Sequence, residues 1–267
     1  MILKMLAATF VLISIFSFAN ALPTLSEPSP PNNDTVTLER RARNRVVADS
    51  PIWAGLAIFP PEGERFTTVT GIITLPQIPH PLPSIKSHVA FWVGLDGDSG
   101  DHLHFLQAGI HAVVEDGGVV KYRPWVQWFP EPPIMYDPSS LDTKAGDRIQ
   151  VEVRIEKDGS EGFITLTNKS NDRFLTRAVV PTGKALPVRG EQAEWIVEHP
   201  LSDHGLPLLK FEDVIFSRCY ASTDKSTRRD LSDPRTLYRL KPPGSPQITD
   251  VELSTVGGSS TFKLKHL

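Results

Sequence analysis

The feature that most constrains this chain is an alternation of apolar and polar residues in short runs broken by turn residues. It is clearest in Ile149-Gln-Val-Glu-Val-Arg-Ile155, where every second residue is apolar. Successive side chains of a strand point to opposite faces, so Ile149, Val151, Val153 and Ile155 form one buried face. Gly162–Thr167, Ala193–Glu198 and Ser259–Leu264 have the same strand-like patterning. Phe66–Leu75 is rich in β-branched residues, and His88–Gly94 reads as an apolar strand. Asp158-Gly159, between two of these runs, is a hairpin signal. No long amphipathic helix is evident, and 24 prolines oppose helix interiors. The pattern therefore predicts an all-β chain, as a two-sheet sandwich or a barrel.

Composition removes several functional classes. With 40% hydrophobic residues, the chain has enough apolar surface for a core and is not disordered. Its 267 residues suit one large domain or two small ones. A net charge of -3 gives no electrostatic footprint for nucleic acid. The single cysteine excludes an internal disulfide framework and any multi-cysteine zinc site.

The amino-terminal segment reads differently from the rest. Residues 1–21 carry one charge, Lys4, then an apolar run from Leu6 to Phe18 and a small-residue cleavage signal at Ala19-Asn20-Ala21. This predicts a signal peptide and a secreted, extracellular protein, with no membrane association once the signal is removed. Residues 22–45 are rich in proline, serine and asparagine and end in Arg40, Arg41, Arg43 and Arg45. Both a propeptide and a solvated linker fit them. The expected mature domain spans 46–267, with 23 basic and 28 acidic residues. Asn33-Asp34-Thr35 and Asn168-Lys169-Ser170 are glycosylation sequons.

Several local motifs are better explained by structure than by chemistry. Gly97-Asp98-Ser99-Gly100 has the form of a serine-nucleophile segment, but His80 and His88 lack the sequence context of a triad base. His102 and His104 have no evident third metal ligand, so loop histidines are expected and no metal site is assigned. Asp96, Asp98 and Asp101 do not fit calcium-loop spacing. Tryptophans such as Trp92, Trp125, Trp128 and Trp195 serve more often in packing than in ligand contact.

Four segments are more specific when taken together. They are Ile52-Trp-Ala-Gly55; Phe91-Trp-Val-Gly-Leu-Asp-Gly97 followed by Phe105-Leu-Gln-Ala-Gly109; Tyr122-Arg-Pro-Trp-Val-Gln-Trp-Phe-Pro130; and Gln192-Ala-Glu-Trp-Ile-Val-Glu198. In this order and spacing the chain resembles the glutamic peptidases, or eqolisins, from about Trp53 to its end. These are secreted acid endopeptidases found mainly in filamentous fungi. The resemblance implies a concanavalin-like sandwich of two antiparallel sheets with a concave substrate groove. It implies a catalytic pair, which falls here on Gln107 and Glu194, and groove residues at Trp53, Trp92, Asp96 and Trp125. It implies a peptide or protein substrate, no cofactor and a monomer.

The chemistry suits these residue types. Glu194 can take a proton from water and return it to the leaving amine. Gln107 can orient that water and hydrogen-bond the oxyanion through its amide. An ordinary glutamate pKa near ~4.3 places activity in acid, at pH ~4–6. Two departures from the family pattern stand out. Gln127 occupies a groove position where the family has glutamate, and the paired cysteines are missing, which leaves Cys219 as a buried thiol. Two further readings are a non-catalytic peptide- or glycan-binding sandwich and a glycoside hydrolase pairing Glu194 with Glu198.

Overall fold

The computed structural model describes residues 45–267 except 84, 99–103, 116–117, 184, 201–205, 234 and 255–259. The readings placed on residues 1–44, on Ser99, Gly100, Asp101 and on His102 lie outside the described residues. The strands are β1 (Arg45–Ser50), β2 (Trp53–Ile58), β3 (Phe66–Thr74), β4 (Ser87–Leu95), β5 (Phe105–Glu115), β6 (Val119–Phe129), β7 (Ile134–Met135) and β8 (Arg148–Ile155). They continue with β9 (Gly162–Asn168), β10 (Arg173–Val179), β11 (Ala193–Glu198), β12 (Val214–Thr223), β13 (Arg228–Asp230), β14 (Arg235–Leu240), β15 (Thr249–Ser254) and β16 (Thr261–His266). A short 3-10 turn, Pro138–Ser140, is the only helical element among the described residues.

The strands form two sheets. The first has the order β1-β14-β2-β11-β4-β5-β6-β7. The second runs β10-β9-β8-β3-β12-β16-β15, with β13 paired to β12. All these pairings are antiparallel except β1 with β14, where the first described strand joins the sheet edge in parallel. The fold is thus an all-β sandwich, as the alternation predicts.

Burial follows the sequence pattern. In β8, Ile149, Val151, Val153 and Ile155 are buried while Arg148 and Arg154 are exposed. The inner faces meet in one core, with Leu56, Val93, Leu106, Val126 and Trp195 from the first sheet. Val69, Ile73, Val151, Ile164, Phe216 and Phe262 come from the second. Each fully buried side chain of this size contributes about 1.5–3 kcal/mol. Phe216 and Phe262 stack at 4.8 Å across β12 and β16. The Trp195 indole N–H donates to the Thr70 carbonyl at 2.9 Å, which ties the two sheets together.

The first sheet is also apolar on its other face. Trp53, Ala57, Ala90, Trp92, Phe105, Trp125, Ile196 and Tyr238 form a second cluster there. Trp92 and Ile196 are fully buried although they point away from the main core. A face that buries such residues is recessed, and this recess holds the sequence-predicted site.

Two sequence readings resolve here. The sequon at Asn168 is not available for glycan attachment in the fold. Asn168 is fully buried, and its Nδ2 donates to Asp147 Oδ2 at 2.9 Å and to the Leu141 carbonyl at 3.1 Å. Cys219 is a free, fully buried cysteine, and burial pushes its thiol pKa up.

Candidate active site

The site is built from cross-strand rows. Glu194 on β11 lies opposite Gly94 on β4, Gly94 lies opposite Gln107 on β5, and Gln107 lies opposite Gln127 on β6. Neighbouring strands stand about 4.8 Å apart, so the backbones at Glu194 and Gln107 are separated by about 10 Å. Gly94 stands between them and contributes no side chain, although the Trp92 ring and Gln107 Cβ lie 3.1 Å from where its side-chain carbon would be. Two residues further along the strands runs an aromatic row. Ile196 lies opposite Trp92, Trp92 opposite Gly109, and Gly109 opposite Trp125.

Glu194 is fully buried, and neither of its carboxyl oxygens has a hydrogen-bond partner in the protein. The turn after β4 covers it: a side-chain carbon at Gly97 would lie 3.1 Å from Glu194 Oε2 and 3.0 Å from the Trp53 ring. Burial raises the Glu194 pKa well above the ordinary value, and the carboxyls of Asp98, Asp96 and Glu198 push in the same direction. This differs from the unperturbed glutamate expected from sequence. Those neighbours are brought together by folding rather than by sequence adjacency.

Gln107 is buried, and its Nε2 donates to Gln127 Oε1 at 2.8 Å. Gln127 Nε2 donates in turn to the Glu131 carbonyl at 2.7 Å. Gln107 Oε1 has no protein partner. The side chain therefore offers one acceptor and one remaining N–H.

The groove residues predicted from sequence fall into two groups. Trp53, Trp92 and Trp125 wall the recess, with Trp53 and Trp92 packed edge to face at 5.4 Å. Phe105 stacks on Phe129 at 4.7 Å beside them. The indole nitrogen of Trp125 has no protein partner, while that of Trp53 faces the Glu198 carboxyl across the strand pair. Asp96 and Gln127 are placed differently from open groove contacts. Asp96 is fully buried, and its carboxylate accepts four backbone N–H groups, from Arg189 at 2.6 Å, Gly190 at 2.9 Å, Glu191 at 2.6 Å and Gln192 at 3.1 Å. It therefore fixes the chain leading into β11 and so the position of Glu194. Gln127 faces Gln107.

Of the other residues here, Glu198 is read from sequence as an alternative carboxylate, whereas Asp98 and Tyr238 are not assigned to the site by sequence. Asp98 accepts from the Tyr238 hydroxyl and its backbone N–H donates to Gln192 Oε1 at 3.2 Å. Burial raises the Asp98 pKa, with the Tyr238 hydrogen bond acting against it. Asp98 and Tyr238 are 140 positions apart, so no local signal links them. Glu198, four residues after Glu194 on the same face, accepts from Trp92 Nε1 at 2.8 Å. Burial pushes its pKa to about 7 despite that bond. Ala90 separates Glu198 from His111, whose Nε2 lies 3.2 Å from His88 Nδ1. His104 Nδ1 accepts from the Leu186 N–H at 3.0 Å, which gives it a structural role at the mouth of β5.

A β-sandwich with this recessed, acid-bearing face is the architecture of a glutamic-type endopeptidase, a hydrolase of peptide substrates. The chain belongs to the peptidase A4 family, whose sequence profile matches residues 51–263. Its fold is similar to that of scytalido-glutamic peptidase solved with a peptide-based transition-state analog, with a TM-score of 0.66 and 22% identity over 82% of this chain and 99% of that one. It is also similar to SCP-B, an eqolisin solved with the tripeptide Ala-Ile-His, with a TM-score of 0.61 and 21% identity over 82% of this chain and 99% of that one. Aspergilloglutamic peptidase from Aspergillus niger superposes with a TM-score of 0.57 and 26% identity over 68% of this chain and 99% of that one. No curated protein matches in sequence.

Proposed function

We propose that this chain is a secreted acid endopeptidase in which Glu194 and Gln107 activate water against a peptide carbonyl. The observation that carries this reading is the row Glu194–Gly94–Gln107. There a buried carboxyl without a protein partner and an amide with an unpartnered acceptor flank a glycine. In the first step, ionised Glu194 removes a proton from water as the water oxygen bonds to the carbonyl carbon. Gln107 Oε1 accepts the water's other hydrogen, and the remaining Nε2 hydrogen is donated to the developing oxyanion. In the second step, Glu194 returns the proton to the leaving nitrogen, and the C–N bond breaks to give a carboxylic acid and an amine. Trp53, Trp92 and Trp125 supply apolar walls for the substrate chain, with the Trp125 indole N–H free to bond it. Asp96 acts here through the loop it holds.

The base must be ionised, so activity rises with pH through the Glu194 pKa. Burial and the neighbouring carboxyls move that limb above the ordinary glutamate range. Residues 1–21 direct secretion, and removal of residues 22–45 leaves the mature domain.

The test is hydrolysis of a peptide library between pH 2 and 8 in the presence of pepstatin. Wild-type protein is expected to cleave with a rising acid limb. Glu194→Gln and Gln107→Ala are expected to lose at least ~100-fold in kcat. Wild-type turnover by Glu194→Gln would rule out this assignment of the base.

A further inference from the structure

The amide of Gln127 has a fixed orientation. Its nitrogen faces the Glu131 carbonyl at 2.7 Å, and a carbonyl oxygen only accepts. Nε2 of Gln127 must therefore point at Glu131, which turns Oε1 toward Gln107. That oxygen also only accepts, so Gln107 must present Nε2 to it at 2.8 Å. Gln107 Oε1 is left unbonded by the protein, and the residue is 3% exposed. One backbone carbonyl thus decides, through two amides, which end of Gln107 serves each role.

We propose that Gln127 is a positioning residue that locks the rotamer of Gln107 through the Glu131 carbonyl, and that this lock is independent of pH because both side chains are amides. The inference rests on the role given to Gln107 above. Without the lock, an amide group populates two flipped states of similar shape. In the flipped state a nitrogen stands where the water needs an acceptor. A glutamate at position 127 holds the same geometry only while protonated. Its O–H can donate to the Glu131 carbonyl and its other oxygen can accept from Gln107. Once ionised, one of its oxygens faces the Glu131 carbonyl with no hydrogen between two acceptors, so the side chain is pushed off its anchor and no longer holds Gln107 in place.

Among the described residues, the titratable groups around this pair include Glu131, whose carbonyl Gln127 meets. Glu194 faces it from β11 across Gly94, and Asp96 and Asp98 lie on the turn after β4. Glu198 lies further along β11, and Arg123 lies on the same face of β6, bonded to Glu115. A charge introduced at 127 would also raise the Glu194 pKa, moving the ascending limb to higher pH. Full titration curves separate the two effects, because the first adds a limb that falls with pH.

The experiment compares full-chain wild type, Gln127→Met, Gln127→Glu, Gln107→Ala and Glu194→Gln for kcat, KM and melting temperature from pH 3 to 7. Gln127→Met keeps the length of the side chain and removes both hydrogen bonds. It is expected to lose about tenfold or more in kcat with KM within about twofold. Gln127→Glu is expected to match wild type near pH ~3 and to fall progressively behind it as pH rises through the carboxyl range. A merely structural role would lower both variants equally at every pH. A pH-independent ratio of Gln127→Glu to wild type would overturn the lock. So would wild-type kcat in Gln127→Met while Gln107→Ala and Glu194→Gln are inactive. Activity in those last two variants would instead remove the dyad, and the lock with it.

Discussion

Asp96 shows how one residue can matter to a site without reaching the substrate. Its carboxylate takes four successive backbone N–H groups, and two of them belong to the buried residues Gly190 and Gln192. Burial raises its pKa, and those four amides pull it back down. Asp96→Ala leaves the amides without an acceptor and is expected to cost about 2–4 kcal/mol. Urea unfolding gives the loss, and faster amide exchange at 189–192 locates it. The same variant removes a like charge beside Glu194, so the ascending limb of its pH–rate profile moves to lower pH. An unchanged urea midpoint would refute the clamp. Sequence placed Asp96 near the site but not its partners, because the four amides lie 93 to 96 positions away. The same separation hid the raised Glu194 pKa. Burial under Gly97 and Trp53 is a tertiary effect with no local signature.

At the scale of elements, the strands were legible and the rows were not. Period-two alternation located β8, β9 and β11 to within a residue or so, because each strand has one face in the core. Register couples residues from distant strands, and it decides what stands beside Glu194. Two glycines on this face separate packing from chemistry. A side-chain carbon at Gly109 would lie 1.9 Å from the Phe91 carbonyl oxygen and 2.7 Å from Trp92 Cα. Gly109→Ala must therefore push β4 from β5 and is expected to destabilise by several kcal/mol, on the order of 3. A carbon at Gly94 meets its neighbours at 3.0–3.1 Å, which side-chain and backbone shifts of a few tenths of an ångström can relieve. Gly94→Ala is expected to cost about 1 kcal/mol but to lose at least ~10-fold in kcat, since its methyl enters the gap between Glu194 and Gln107. Melting temperature and kcat measured on both variants check the contrast. Full activity in Gly94→Ala would show that the reacting water does not sit above that residue.

For the whole molecule, stability and activity respond to pH in opposite directions. Glu198 is raised by burial from 4.5 to about 7, and Glu194 is also raised, by burial and by its acidic neighbours. An acid with a raised folded pKa holds its proton more tightly in the native state. Its presence costs nothing below the unfolded pKa, and stability falls as pH rises from there to the folded pKa. For Glu198 the rise of 4.5 to about 7 corresponds to about 3 kcal/mol lost across that interval. On the surface the sign reverses. Asp49 is held low by hydrogen bonds from Lys241 and Arg239, Glu115 by Lys121 and Arg123, and Glu252 by Lys265 and Lys263. Their stabilisation is present above the ordinary carboxylate range and is lost as pH falls through their folded values. Positive self-repulsion grows in the same acidic interval. Together these effects put the stability maximum near pH ~4–5, whereas ionisation of Glu194 favours activity at higher pH. The working range lies where the two overlap. Glu198→Gln keeps an acceptor for the Trp92 indole and removes the titration. Its urea-unfolding free energy is expected to fall about 3 kcal/mol less than wild type between pH 4.5 and 7.5. A wild-type stability that climbs steadily to neutral pH would contradict this account, as would an equal decline in Glu198→Gln.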